Sequence, residues 1–391
     1  LKILIALASS SAHLSGVPRH GINLARCLLT RREIAAVYLV AAPWQRQLLE
    51  EIAPADPRLH LHFPHIGRGS WSRNWWFYYQ LPALATHVDA DLVHLAYPMP
   101  VNLHAFHCPV VVTLHDLYPY DIPHNFGFPK VLFNRAVLRQ CLHTADAITS
   151  VSESTHARLA AMFPGIAHKS LVVSNSVSLP ADLQAPEPAW SDEPFLLCVA
   201  QHRRNKNVLF ALRIYQRLLA CGSLPASSQM FVVGIAGPET PAIQQFIATY
   251  GLTRHVHLVD GISDQHLQSC YRNCILLLAP STVEGFGLPV VEALMSGCRV
   301  LCSDIGAFRE IGAGHCRFLP VEDEPLEAWT KAAAEEMMQP RPVPVLMPQF
   351  GAAVLGEQYL RLYQTLLQTS VSMGAFNSGD FPVTAERHPV A

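Results

Sequence analysis

The 391 residues are half hydrophobic, only 15% charged, and carry a formal net charge of −2. That length suits two domains of ordinary size with sizeable cores, and the missing basic excess argues against nucleic acid as a partner. No apolar run reaches the length of a membrane span.

From the start, residues 3–8 read as a buried strand; the charge before them is a single lysine, short of a signal peptide's basic region. Residues 16–29 follow as loop and helix, and residues 35–41, 92–96 and 110–114 as strands. Residues 130–144 read as a helix, 147–151 as a strand, 152–161 as a helix capped by Ser152, and 170–173 as a strand. Short apolar runs alternating with helices signal a parallel sheet covered on both faces. Residues 180–194 carry four prolines and little hydrophobic pattern, as a linker does. The alternation then restarts, with strands at 195–200, 229–234, 256–259, 274–280 and 299–302. Helices fall between them at 207–221, 240–250 and 264–273. The chain therefore divides into an α/β domain over 1–178, a linker over 179–194 and a second α/β domain over 195–345. A helix follows at 350–368, and the tail 370–391 is expected to be disordered. Two such sheets facing each other leave a deep cleft between domains, lined by the carboxyl ends of their strands. The ten cysteines show no paired framework. Their i, i+4 pairs 270/274 and 298/302 miss the C-x-x-C spacing of zinc sites, so they read as buried thiols of a reducing cytoplasm.

The most informative stretch is Glu284-Gly-Phe-Gly-Leu-Pro-Val-Val-Glu292. Gly285, Gly287 and Pro289 forbid a continuous helix, and Pro289 suits a first helical position. Glu284 then lies on a loop and Glu292 about one turn into a helix. The free amides of such a loop and helix N-terminus make an anion pocket. Carboxylates beside it suit hydroxyl-rich groups such as a ribose and a sugar, since each accepts charge-assisted bonds from vicinal hydroxyls. Arg203 and Lys206, between the strand at 195 and the next helix, are placed to neutralise a diphosphate. His115 stands at the carboxyl end of a strand, with Asp116 expected to orient it. Gly16 lets a backbone approach a phosphate closely.

This stretch resembles the signature of retaining glycosyltransferases of family 4, which have the GT-B fold of two tandem Rossmann-like domains. "SGVPRHGINLARCLL", "VVTLHDLYPYDIP", "ITSVSESTHARLA", "VVSNSV", "CVAQHRRNKNV", "CSDIGAFREI" and "EQYLRLYQTLL" resemble further family segments in order, over about residues 1–368. The resemblance implies transfer of a hexose, mannose or similar, from a GDP- or UDP-linked donor to a glycan or lipid-linked acceptor. It implies no cofactor and no metal, with cations in the place of Mg²⁺. Glu292 would hold the ribose, Glu284 and His115 the donor sugar, and Lys206 with Arg203 the phosphates. Where many members carry arginine directly after the strand, this chain has Gln201, and Arg203 or Arg204 stands in. Gly16, the amides of Phe286, Gly287 and Leu288, and Ile262 complete the donor-binding set. The final helix would pack back on the first domain. Glu284 is a nucleophile candidate by type, but the resemblance points to a same-face displacement in which the leaving phosphate takes the acceptor proton. A bacterial surface polysaccharide is the implied product, made in the cytoplasm or on the inner face of the membrane.

Residues 68–79, "RGSWSRNWWFYY", read either as a helix burying aromatics or as a membrane-surface or lipid-acceptor patch. Two rival functions remain: an inactive nucleotide-sugar-binding protein of the same fold, and a dinucleotide oxidoreductase. The second needs G-x-G-x-x-G after the strand at 3–8 or at 195–200, and neither has it.

Overall fold

The computed structural model describes residues 1–9, 16–179, 193–323 and 325–372. The first sheet has seven parallel strands in the order β3-β2-β1-β4-β5-β6-β7. They are β1 (Lys2–Ala6), β2 (Ala36–Val40), β3 (Leu59–His62), β4 (Leu92–Leu95), β5 (Val110–Leu114), β6 (Ala147–Ser150) and β7 (Ser170–Val172). Its helices are α1 (Gly16–Leu29), α2 (Arg46–Ile52), α3 (Ser70–His87), α4 (Tyr118–Asp121), α5 (Lys130–Thr144) and α6 (Glu153–Met162). Strands β4, β5 and β6 are buried at every position, which is why their sequences are mostly apolar, with His94, Thr113, Thr149 and Ser150 as buried polar exceptions. Helix α6 starts where expected: the Ser152 side chain accepts from the Thr155 amide.

The second sheet has six parallel strands in the order β10-β9-β8-β11-β12-β13. These are β8 (Phe195–Val199), β9 (Gln229–Val233), β10 (Val256–Val259), β11 (Leu276–Ala279), β12 (Val300–Ser303) and β13 (Arg317–Leu319). Helices α7 (Val208–Ala220), α8 (Thr240–Thr249), α9 (Asp264–Asn273), α10 (Leu288–Met295), α11 (Gly306–Gly312) and α12 (Leu326–Met337) cover it. In both sheets the strand order reverses beside the first strand, so each presents a ligand crevice there.

The sequence reading omits β3, α2, α4, α11, β13 and α12. Strand β3 lies at the sheet edge with no fully buried residue, so its Leu-His-Leu-His alternation carries a weak signal.

Helix α13 (Ala352–Ser372) returns to the first domain. Leu355, Tyr359, Leu360, Tyr363 and Leu366 share a core with α1, β1 and β4. Each of the three leucines contributes roughly 1.5–3 kcal/mol by this burial. A Cβ on Gly356 would strike the Cys27 carbonyl, so the two helices meet at backbone contact. Ser370 to Ser372 belong to α13, not to a disordered tail; residues 373–391 lie outside the described residues, as does the linker from 180 to 192. No disulfide joins any of the ten cysteines, and Cys274 Sγ lies 3.2 Å from Cys298 Sγ. No described helix is long and apolar enough to cross a membrane.

Candidate active site

The loop after β11 carries Glu284 to Gly287 into the space between the domains. A Cβ on Gly285 would collide with the His115 carbonyl oxygen, so only glycine allows this approach. The Gly285 carbonyl accepts from Ser152 Oγ at 2.5 Å and Thr155 Oγ1 at 3.1 Å, both from the first domain. Glu310 accepts from the Glu153 amide at 3.1 Å and the Ser154 amide at 3.4 Å, capping α6 from across the cleft. Asn125 donates to Asn205 Oδ1 at 3.2 Å.

Gly287 caps α10 with φ +104°, where a side chain would strike Phe308 and Ile311. Leu288 opens the helix, so Pro289 occupies its second position, not the first; neither needs an N–H donor. Among the described residues the amides of Phe286, Gly287 and Leu288 donate to no backbone acceptor.

Lys206 closes a short turn after β8, and Nζ sits 2.6 Å from Glu284 Oε1 and 2.7 Å from Oε2. Arg203 and Arg204 are both exposed. Of the two, Arg203 acts on the cleft: its charge bears on Asp116 and on the Tyr118 hydroxyl. Burial pushes the Asp116 carboxyl up to about 6, against the pull of the Tyr118 amide, Lys206 and Arg203.

Glu292 is well buried, and burial raises its carboxyl; Arg19 and Tyr271 pull it back. Tyr271 donates to Oε2 at 3.0 Å. Arg19, from α1, stands 3.6 Å from Oε1 and 2.5 Å from Asp264 Oδ1. A cavity of about 220 Å³ opens here, lined by Arg19, Asn23, Arg26, Asp264, Leu288 and Glu292. The sequence reading missed Arg19, although it stands three residues after Gly16 in a quoted segment. A second cavity of about 520 Å³ lies on the other side, against Glu284, Asp116, Asp121, Ser154, Arg158 and Thr282. Glu284 thus borders one cavity and Glu292 the other.

His115 Nε2 donates to the Ala96 carbonyl at 2.8 Å, which leaves Nδ1 as the acceptor. Burial lowers this imidazole to about 4, so the ring is neutral near pH 7. Asp116 does not orient it. Its Oδ1 takes the Tyr118 amide at 3.0 Å, because successive side chains at a strand end face opposite sides. His20 packs edge-on against His115, with centroids 4.6 Å apart.

Ile262 is partly buried against the second core, beside the Ser263 cap of α9. Gly16 is the exposed first residue of α1, and among the described residues nothing outside its own chain neighbours and helix backbone lies within 4 Å of a Cβ placed there. Among the described residues no cluster of His, Cys, Asp or Glu is arranged to hold a metal. The metal-free expectation overlooks one Asp-x-Asp, Asp89-Ala90-Asp91. It precedes β4, at the amino ends of the central strands, opposite the carboxyl ends that line the cleft, and both carboxylates bind Lys2.

Two family models match in tandem: Glycosyltransferase Family 4 over residues 14–179 and Glycosyl transferases group 1 over residues 182–324. The O-antigen chain mannosyltransferase RfbU of Salmonella typhimurium is 25% identical over 228 residues, 56% of this chain and 59% of that protein. O-antigen chain mannosyltransferase B of Escherichia coli is 24% identical, over 51% of this chain and 54% of its own. The chain thus spans somewhat over half the length of the curated relatives it matches. Among solved structures, sucrose-phosphate synthase from Thermosynechococcus elongatus superposes with a TM-score of 0.68 at 17% identity, covering 94% of this chain and 99% of that one. Two parallel-sheet domains closing on one cleft are the fold of GT-B glycosyltransferases. Together the two models span most of the chain and mark it as a glycosyltransferase of the family 4 type.

Proposed function

We propose that the chain is a retaining, metal-independent glycosyltransferase that moves a hexose from a nucleotide-diphosphate sugar to a glycan or lipid-linked acceptor. The observation that carries this reading is the Glu284–Lys206 ion pair beside the Gly-rich loop, with Glu284 lining the larger cavity and Glu292 the smaller one. Glu292 suits a ribose, Lys206 and Arg203 suit a diphosphate, and the amides of Phe286 to Leu288 suit an anion at a helix N-terminus. Glu284 and the neutral His115 suit the hydroxyls of the donor sugar. The larger cavity, with Asp116, Asp121 and Arg158, suits a hydroxyl-rich acceptor. The acceptor oxygen then attacks the face from which the phosphate leaves, and that phosphate takes its proton. Lys206 and Arg203 stabilise the charge that develops on the leaving group.

Mannose from GDP-mannose is the first candidate donor, because relatives named as O-antigen mannosyltransferases match the chain; a UDP-hexose is the alternative. Their names also favour a bacterial surface polysaccharide as the product. The test is calorimetric titration with GDP, UDP and ADP. Binding of GDP or UDP that is weakened by Glu292→Ala supports the reading, and binding of none overturns it. Binding without transfer or donor hydrolysis would favour an inactive binding protein.

The same reading includes work at the inner face of the membrane. Helix α3 buries Trp76, Phe77 and Leu81 but exposes Trp71, Trp75 and Tyr79 on its other side. The Trp71 ring meets Phe133 of α5 at 5.1 Å, beside exposed Phe128, Lys130 and Leu132. No Asp or Glu occurs in residues 57–88 or 122–145, which contain both groups. Exposed Trp and Tyr with cations and no acids suit an anionic lipid surface. Flotation with phosphatidylglycerol vesicles, lost in Trp71→Ser/Trp75→Ser/Phe128→Ser, is the expected result; no flotation of the wild type contradicts it.

A further inference from the structure

The first domain buries a connected set of polar side chains that the transfer mechanism does not use. Thr113, at 0% exposure in β5, is its centre. Its Oγ1 lies 2.8 Å from His94 Nε2, 3.0 Å from His20 Nε2 and 2.9 Å from Thr149 Oγ1. At the outer ends, His94 Nδ1 is 2.5 Å from the Tyr363 hydroxyl and His20 Nδ1 is 2.9 Å from Asn175 Oδ1. The set runs from α13 through β4 and β5 to α1 and the segment after β7.

We propose that Thr113 is the node of a one-way hydrogen-bond relay, from Tyr363 to Asn175, that fixes the His20 ring against His115. Thr113 and Tyr363 are then positioning residues for the donor-sugar end of the cleft. The inference rests on the proposed role of His115 at the donor.

Proton counting sets the direction. The Asn175 oxygen only accepts, so His20 Nδ1 carries its proton and Nε2 accepts. The Thr113 hydroxyl must donate to that Nε2. A hydroxyl has one proton, so Thr113 accepts from both His94 Nε2–H and Thr149 Oγ1–H. His94 Nδ1 is left as an acceptor, and the Tyr363 hydroxyl fills it. Both rings must be neutral for this count. Burial holds His94 down to about 3 and His20 well below the ordinary histidine range.

The relay reaches the cleft at His20. Thr113 lies in β5, two residues before His115, which follows the carboxyl end of that strand. His20 touches both: Nε2 bonds Thr113, and its ring stands at 87° to the His115 ring. The neighbouring Arg19 spans to Glu292 and Asp264. A ring free to turn at His20 would loosen His115.

The experiment compares wild type, Thr113→Val and Thr113→Ser. Valine keeps the shape and removes the hydroxyl; serine keeps the hydroxyl. Nitrogen-15 NMR reads the tautomers of His20 and His94, calorimetry reads GDP and UDP affinity, and transfer gives kcat. In wild type, His20 is expected as the Nδ1–H tautomer and His94 as Nε2–H. Thr113→Val mixes both tautomers and lowers kcat about tenfold, the worth of one buried hydrogen bond, while nucleotide affinity stays within about twofold. Thr113→Ser restores tautomers and kcat. Tyr363→Phe, expected to act in the same direction, replaces Thr113→Val if valine prevents folding. Opposite or mixed tautomers in the wild type, or a valine variant with wild-type kcat, overturn the proposal. If the wild type transfers nothing, the functional reading fails, and the tautomers alone decide the relay: unchanged rings in Thr113→Val reject it.

Discussion

The Lys206 ammonium stands 2.6 and 2.7 Å from the two carboxylate oxygens of Glu284, with side-chain exposures of 19% and 9%. Each group satisfies the other while no ligand is present. On the proposed reading, a bound diphosphate would compete with Glu284 for Lys206 and free the carboxylate for sugar hydroxyls.

Removing the cation leaves a poorly hydrated carboxylate and an unneutralised leaving group. Lys206→Ala is expected to lower kcat by about 10²–10³, the scale of losing one charge-stabilising donor. Glu284→Gln, which keeps the shape, is expected to raise the donor KM more than the nucleotide Kd. Steady-state kinetics on both variants check this; equal effects on nucleotide and donor binding would move Glu284 off the sugar.

Glu292 and Arg19 behave differently. Loss of the charge-assisted bonds in Glu292→Ala should weaken nucleotide binding by about 10–100-fold. Arg19 bridges Asp264 and Glu292 across the cleft at partly exposed positions, so Arg19→Ala should change the Kd by less than about tenfold. Isothermal titration at two salt concentrations separates the two variants.

Gly285→Ala tests domain closure. The added methyl strikes the His115 carbonyl, while both domain cores are untouched. The expected result is a kcat lowered by about tenfold or more, with a melting temperature near that of the wild type. Full activity would mean that this contact is absent during turnover.

Much of this architecture was legible in the sequence, for physical reasons. Strands β4, β5 and β6 are buried on both faces, so their apolar runs mark them within a residue. Ser152 declares the start of α6 through its cap. Edge strand β3 and short α2, half exposed, leave no such trace. At the site, spacing placed Glu284 on the loop and Glu292 in α10. It did not reveal that Arg19 reaches Glu292 from the other domain, or that Ala96 and not Asp116 orients His115. Those contacts join residues remote in the chain, and no local pattern encodes them.

The buried histidines give stability a pH dependence. His94 and His115 have folded values of about 3 and about 4, below the ordinary 6.5. Their neutral forms support the fold fully above 6.5. As pH falls, the unfolded chain takes up protons that the folded chain refuses, and stability drops until the folded values are reached. Between pH 6.5 and 5 each ring should remove roughly 2 kcal/mol. Asp116 acts the other way: its carboxyl, raised to about 6, is destabilising when ionised, and that penalty is relieved from pH 6 towards 4. Urea unfolding of wild type and His94→Gln at pH 7 and pH 5 measures this; the variant should lose less stability between them.

The most direct test of the glycosyl-transfer reading is proton NMR of the wild type with GDP-mannose, and separately with UDP-glucose, in excess EDTA. The expected result is nucleotide release with the sugar transferred, or slowly hydrolysed, as the α-anomer first formed, and about 10²–10³ slower release in Lys206→Ala. A β-anomer formed first, activity that returns only with Mg²⁺, or equal rates in Lys206→Ala would contradict it.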